Sequence, residues 1–229
     1  MSEFRPSRRQ LMQLHDGMLA AYGPQQWWPA DSDFEIAVGA VLTQNTNWSN
    51  VEKALAQLKQ AEALSLDGIR ALPQDRLAEL IRPSGYYNVK AKRLRNLCDY
   101  LDAVGGLQAL RELPVADARE GLLSVNGVGA ETADDILLYA LDLPVFVIDT
   151  YTRRLLSRHA LATGDEAYDS LRLGFERVLP PEPQLFRQYH ALIVTHAKEA
   201  CRKAPVCAGC ALQASCALGK TQTPPKRGR

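Results

Sequence analysis

An all-α fold is predicted by two features of the 229-residue chain. Apolar residues recur at helical spacing almost throughout, and the alternation expected of half-buried strands is found almost nowhere. Pro, Gly and capping residues then divide the chain into helices. Ser7 opens the first, over about Arg8–Tyr22, with Leu11, Leu14, Met18 and Leu19 on one face. Gly23, Pro24 and Pro29 mark a loop. Residues 34–43 read as a buried helix, and Asn47 caps the next, which runs to about residue 60. Shorter helices fit 66–71, 74–81 and 106–112, with breaks at Pro73 and Pro83. Between them, 87–102 is longer and amphipathic, carrying Leu94, Leu97 and Leu101. Helices over 116–123, 130–141, 150–160, 165–178 and 184–201 complete the reading. The last stretch, from Thr221 to Arg229, is polar, basic and Pro-containing, as expected of a disordered tail.

Composition narrows the class. With 46% hydrophobic residues the chain can bury a sizeable core. Its longest strongly apolar run, around Ile36 to Leu42, is about eight residues, far short of the roughly 20 that span a membrane. The opening MSEFRPSRRQ has no apolar run of the signal-peptide kind, so a cytoplasmic protein is expected, nucleoid-associated in a bacterium. A net charge of +1, from 27 Lys+Arg and 26 Asp+Glu, gives nucleic-acid binding no support. The charge is uneven, however. Residues 82–95 hold five Lys/Arg and no acid, 196–229 hold seven with only Glu199, and Arg153, Arg154 and Arg158 form a third cluster. Each alone reads as a solvated face; three together suit a surface that tracks phosphates. The four histidines, His15, His159, His190 and His196, make no H-E-x-x-H arrangement, and no Walker or Rossmann glycine pattern is present.

Four of the five cysteines fall close together. Cys201, Cys207, Cys210 and Cys216 are spaced C-x5-C-x2-C-x5-C. In a chain without an export signal this spacing points to a metal centre rather than disulfides. Four thiolates suit tetrahedral zinc or a cubane iron–sulfur cluster, and spacing does not separate the two. Cys98, on the amphipathic helix, reads as a buried core thiol.

A second signal joins two predicted helices, in the segment from Leu123 to Ala133. Gly127 and Gly129 let the backbone turn tightly and approach a ligand, and amides beside a helix start are a natural phosphate seat. An ordinary helix-turn-helix corner is the plainer reading. Downstream, Val147-Ile148-Asp149-Thr150 opens a new helix, where Asp149 serves as an N-cap or as a carboxylate for chemistry among apolar neighbours.

Taken together, the hairpin, Asp149, Arg154 five residues later and the four-cysteine loop resemble the helix-hairpin-helix (HhH-GPD) DNA glycosylase superfamily. Within it, the chain resembles the endonuclease III-like, iron–sulfur-containing group. Phe34-Glu35, Leu42-Thr43-Gln44-Asn45-Thr46, the run from Gly85 to Ala91, and His190 extend the resemblance over about residues 30–217. It implies two α-helical lobes with a DNA-binding cleft between them. One is a six-helix lobe over 31–143. The other is discontinuous, from 1–30 and 144–217, and holds a [4Fe–4S] cluster on the four cysteines; 218–229 remain as a basic tail. The group's usual first spacing is C-x6-C, and here it is C-x5-C.

The resemblance also implies roles. Gln44 would enter the space left by a flipped base, with Tyr86 or Tyr87 as a second wedge, and Lys90, Gly127, Gly129 and Arg154 would meet DNA. Asp149 would stabilise positive charge developing on the sugar. The second catalytic position departs from the pattern: Glu131 stands where bifunctional members carry the lysine that attacks the sugar. A carboxylate forms no Schiff base, so a monofunctional glycosylase is expected. Trp27, Trp28 and Trp48 resemble the 3-methyladenine glycosylase branch, as a pocket whose ring faces attract cationic alkylated purines. The expected partner is damaged double-stranded DNA, bound by a monomer, with no membrane. The rival expectations are an oxidised-pyrimidine glycosylase of the same fold with weak or no lyase activity, a non-catalytic damaged-DNA-binding protein, and a zinc-binding structural module.

Overall fold

Side-chain caps open several of the helices, though not the two longest, Tyr87–Val104 and Pro183–Glu199. In the computed structural model, which describes residues 4–222, Ser7, Ser32, Asn47, Ser65 and Asp149 each accept a backbone N–H from three residues ahead. Each cap satisfies a donor that has no partner inside its helix. The helices are α1 (Arg8–Tyr22), α2 (Asp33–Leu42), α3 (Trp48–Gln60), α4 (Leu66–Ala71), α5 (Gln74–Leu80), α6 (Tyr87–Val104) and α7 (Gly106–Arg111). They continue with α8 (Val115–Ser124), α9 (Ala130–Asp135), α10 (Thr150–Arg158), α11 (Tyr168–Glu176), α12 (Pro183–Glu199) and α13 (Ala217–Thr221). A 3-10 turn covers Arg82–Ser84. Among the described residues there is no strand, and no helix long and apolar enough to cross a membrane.

The chain divides into two compact units. The continuous unit runs from Trp28 to Pro144. Its centre is α2, whose Ala37, Val38, Ala40, Val41 and Leu42 are almost wholly buried against α3, α6 and α9. A π-helical turn, Ile136–Ala140, follows α9 and packs on α2 as well. Its signature is the Leu141 amide donating to Ile136 O at 3.1 Å, five residues back. Sequence periodicity predicts one regular helix over 130–141; the widened turn instead carries five consecutive residues that are all buried.

The split unit joins the described residues up to Trp27 to those from Val145 onward. Here α12 packs against both α1 and α10, and the buried Tyr189 hydroxyl donates to Leu11 O at 2.6 Å. Phe146 stacks on Phe175 at 3.9 Å and meets Phe186 and Tyr189 edge-on. Val145–Ile148 is buried but not helical, so side chains take its amides: Phe146 N–H donates to Glu176 Oε1 and Ile148 N–H to the Tyr168 hydroxyl. This strap delivers Asp149.

Two boundaries differ from those expected. The predicted 165–178 helix starts only at Tyr168, because the Glu166 carboxylate accepts the amides of Thr163 and Gly164 and closes a turn there. Residues 218–221, expected to begin the tail, lie in α13, whose first turn is capped by Cys216; 223–229 lie outside the described residues.

Candidate active site and cysteine pocket

In the continuous unit, α8 and α9 form the hairpin. Arg119 on α8 grips the fully buried Asp134 of α9 with two nitrogens, at 2.7 and 3.3 Å, fixing one helix against the other. At the turn Gly127 has φ +97°, and a Cβ there would overlap the Arg93 side chain, so only glycine fits. Gly129 is exposed, with nothing within 4 Å of where a Cβ would stand. The turn is therefore open to a ligand at Gly129 and closed over Arg93 at Gly127.

Gln44, expected as the wedge, is engaged with this turn. Its amide donates to Gly127 O at 3.1 Å and Thr132 Oγ1 at 2.9 Å, while Arg93 donates to its Oε1. Insertion into a duplex requires these bonds to break. Tyr86 is 72% exposed in a left-handed conformation (φ +46°) at the start of α6, whereas Tyr87 is half-buried beneath the Arg82 guanidinium. Of the two tyrosines, Tyr86 is the one presented.

Lys90 corrects the sequence reading. Expected to meet DNA, it is 1% exposed, and its ammonium donates to Leu42 O at 2.8 Å and Ser84 O at 2.7 Å. It closes the carbonyl end of α2 instead of touching a phosphate. Burial, then the neighbouring Arg93 charge, pulls its pKa down to about 8. Because the unfolded chain binds this proton more tightly, the Lys90 contribution to stability rises with pH between about 8 and the ordinary 10.5. Replacing Lys90 by Met strands two buried carbonyls and is expected to cost about 1–3 kcal/mol at neutral pH in denaturant melts, with that pH-dependent gain lost.

The three tryptophans separate. Trp28 packs against Trp48 (5.0 Å, edge-on) and against Tyr139 of the π turn (5.4 Å) in the continuous unit. Trp27 belongs to the split unit, with the Lys198 ammonium over its ring at 5.4 Å. Of the expected trio, Trp28 and Trp48 cluster with Tyr139 within the continuous unit. Edge-on packing at 5.0 Å leaves no slot between Trp28 and Trp48.

In the split unit Asp149 caps α10. Its Oδ1 accepts Thr152 N–H at 2.6 Å and the Thr152 hydroxyl at 2.8 Å, and its Oδ2 lies 3.6 Å from His190 Nε2. Burial alone would favour the neutral acid, but the His190 ring and the Thr152 donors outweigh it and hold the carboxyl below the usual carboxylate range. Asp149 is thus a buried, oriented anion that keeps 8% of its surface in reach of solvent. Glu131, in the first turn of α9, is exposed and lies in the other unit.

Arg154, expected to meet DNA, is half-buried; its Nε donates to Cys201 O at 2.8 Å and its guanidinium stacks over Tyr151. One turn on, Arg158 donates to Cys201 Sγ at 3.2 Å and to the carbonyls of Arg202 and Lys203. Both arginines hold the cysteine loop. Cys201, Cys207, Cys210 and Cys216 line one pocket, together with His159 and His196, two rings that burial keeps neutral with pKa values down to about 4. Among the described residues, no three His, Cys, Asp or Glu side chains converge tightly enough to hold a single metal ion. Burial pushes the Cys210 thiol up, and the other three sulfurs oppose its ionisation further. Four thiolates here need a positive centre, which is the chemistry an iron–sulfur cluster would supply. Cys98, in the continuous unit, is buried, its thiol pushed up to about 12 by burial.

Residues 38–181 match the model of the HhH-GPD superfamily of base excision DNA repair proteins. The chain belongs to that superfamily. A Methanocaldococcus jannaschii protein, provisionally named a DNA repair glycosylase, is 44% identical to this HhH-GPD chain over 211 residues, 90% of the chain and 95% of the relative. The solved structure of H. pylori 3-methyladenine DNA glycosylase (MagIII) bound to 1,N6-ethenoadenine is 34% identical, with a TM-score of 0.72 over 84% of this chain and 97% of that one. An endonuclease III–DNA complex has a TM-score of 0.80 at 23% identity, over 95% of this chain and 98% of that one, which shows the shared fold.

In this HhH-GPD site His190 is part of the resemblance with no role attached, and Tyr139, Arg93 and Arg158 carry no strong signal in sequence. His190 stands 41 positions after Asp149 and meets it only through the packing of α12 on α10. Tyr139 lies inside an apolar run and reads as core. Arg93 and Arg158 belong to basic clusters in which no member is distinguished from its neighbours by spacing.

Proposed function

We propose that this HhH-GPD protein is a DNA glycosylase that flips a damaged base out of the duplex and hydrolyses its N-glycosidic bond, leaving an intact abasic site. The observation that carries this reading is Asp149: a buried carboxylate kept ionised by His190 and Thr152. Such a group stabilises an oxocarbenium-like sugar and orients a water for attack. Glu131, at the position of the lyase lysine, offers no amine for a Schiff base. The preferred substrates are alkylated purines such as 3-methyladenine. Identity of 34% to the H. pylori 3-methyladenine glycosylase supports this, as does the Trp28–Trp48–Tyr139 cluster, since a cationic base gains about 0.5–2 kcal/mol over each aromatic face. Double-stranded DNA is the partner, approached through the hairpin turn and the exposed Tyr86.

The four cysteines hold a [4Fe–4S] cluster in this reading. Support comes from their shared pocket and from the Arg158 N–H directed at Cys201 Sγ. Zinc is the alternative occupant.

The test is a panel of damaged duplexes assayed for base release with and without alkali. Release of methylated purines, with strand breakage only after alkali, is the expected result. Borohydride should trap no covalent protein–DNA adduct; an adduct in good yield would refute monofunctional hydrolysis. Excision of thymine glycol without release of 3-methyladenine would transfer the assignment to oxidised pyrimidines.

A further inference from the structure

We propose that Arg93 is a phosphate-contacting residue that Gln44 holds in reserve at the hairpin turn, and that its transfer to DNA releases Gln44. The inference rests on the DNA-binding reading above. Four observations carry it. The Arg93 stem lies against Gly127 so closely that no side chain is tolerated there. Its guanidinium meets the neutral amide oxygen of Gln44, and among the described residues no carboxylate pairs with it. The other end of that Gln44 amide is fastened to Gly127 O and Thr132 Oγ1 of the hairpin. One turn along α6, Asn96 donates to Asn126 O at 2.9 Å, so one face of α6 runs along the turn.

An arginine stays charged at any working pH, and an amide oxygen answers only part of what its planar fork can bond. A phosphate takes the fork in two parallel charge-assisted bonds and is the stronger partner. A duplex whose backbone seats on the hairpin therefore draws Arg93 from Gln44 to phosphate. Gln44 loses one of its three holds at the moment the backbone arrives. Backbone engagement and freeing of the side chain that would fill the base-stack gap become one event.

The experiment compares wild type with Arg93→Met, which keeps the apolar stem over Gly127, and Arg93→Lys, which keeps the charge. Duplex binding is followed by fluorescence anisotropy across a salt series. For Arg93→Met, affinity at low salt should fall on the order of tenfold, and the log–log salt slope should shrink by about 1, the share of one phosphate contact. Arg93→Lys should retain the wild-type slope. A wild-type slope in Arg93→Met would overturn the proposal, whatever happens to affinity, since a residue that only props the turn releases no counterion. Should Arg93→Met not fold, arginine-selective dicarbonyl labelling of the wild type, read by mass spectrometry, decides the matter. Duplex should protect Arg93, and equal labelling with and without duplex would refute the contact. Wild type that binds no duplex at any salt would remove the DNA-binding reading itself, and Arg93 with it.

Discussion

Asp149→Asn is expected to slow base release by about 10²–10⁴-fold while leaving damaged-duplex binding within a few-fold of wild type. The substitution keeps an oxygen for Thr152 N–H, so the α10 cap survives and the loss is one of charge rather than of fold. Single-turnover kinetics on an alkylated duplex, beside anisotropy binding, separates the two effects. Unimpaired turnover would remove Asp149 from the chemistry. The depressed Asp149 pKa adds a pH signature. Its folded-state value lies below the unfolded one, so its stabilising contribution is present above the unfolded carboxylate pKa and is lost as pH falls through the folded value. Acid melts of wild type should therefore carry a dependence below about pH 4 that Asp149→Asn lacks.

If the four cysteines hold the proposed [4Fe–4S] cluster, Cys207→Ser removes it and much of the order of residues 201–216. That segment contains turns but no helix until α13, so little regular hydrogen bonding would hold it once its centre is gone. Wild type purified without oxygen should contain about four irons and four sulfides per chain and absorb near roughly 400 nm. The variant should be colourless, and its Tm should fall by roughly 10 °C, the scale of losing several kcal/mol in a chain of this size. Zinc without iron in the wild type would select the other occupant; a metal-free wild type as stable as Cys207→Ser would exclude both.

Much of the helical scheme could be read from spacing and caps because those signals are local. Ser7, Asn47 and Asp149 do in the structure what short-range chemistry predicts of them. The π turn could not be read: its sequence is simply apolar, and the widening is a response to packing against α2. The site divides in the same way. Asp149 and the four cysteines are visible because their residue types are chemically unusual where they stand. Lys90 and Arg154 mislead because a basic residue in a basic run looks solvent-facing, while the fold turns one onto the Leu42 and Ser84 carbonyls and the other onto Cys201 O. Arg119 escapes notice because its partner, Asp134, becomes significant only once the hairpin closes and buries it.

The bond between Tyr189 and Leu11 joins residues 178 positions apart. On a ribosome, α1 emerges well before α12 and must wait for it before it can bury Leu11, Leu14 and Met18, whereas the continuous unit has all its own parts once Pro144 is out. Vectorial synthesis thus gives the two halves of this enzyme different histories. The hairpin unit can fold as soon as Pro144 has followed, and the unit carrying Asp149 closes only once α12 has been made.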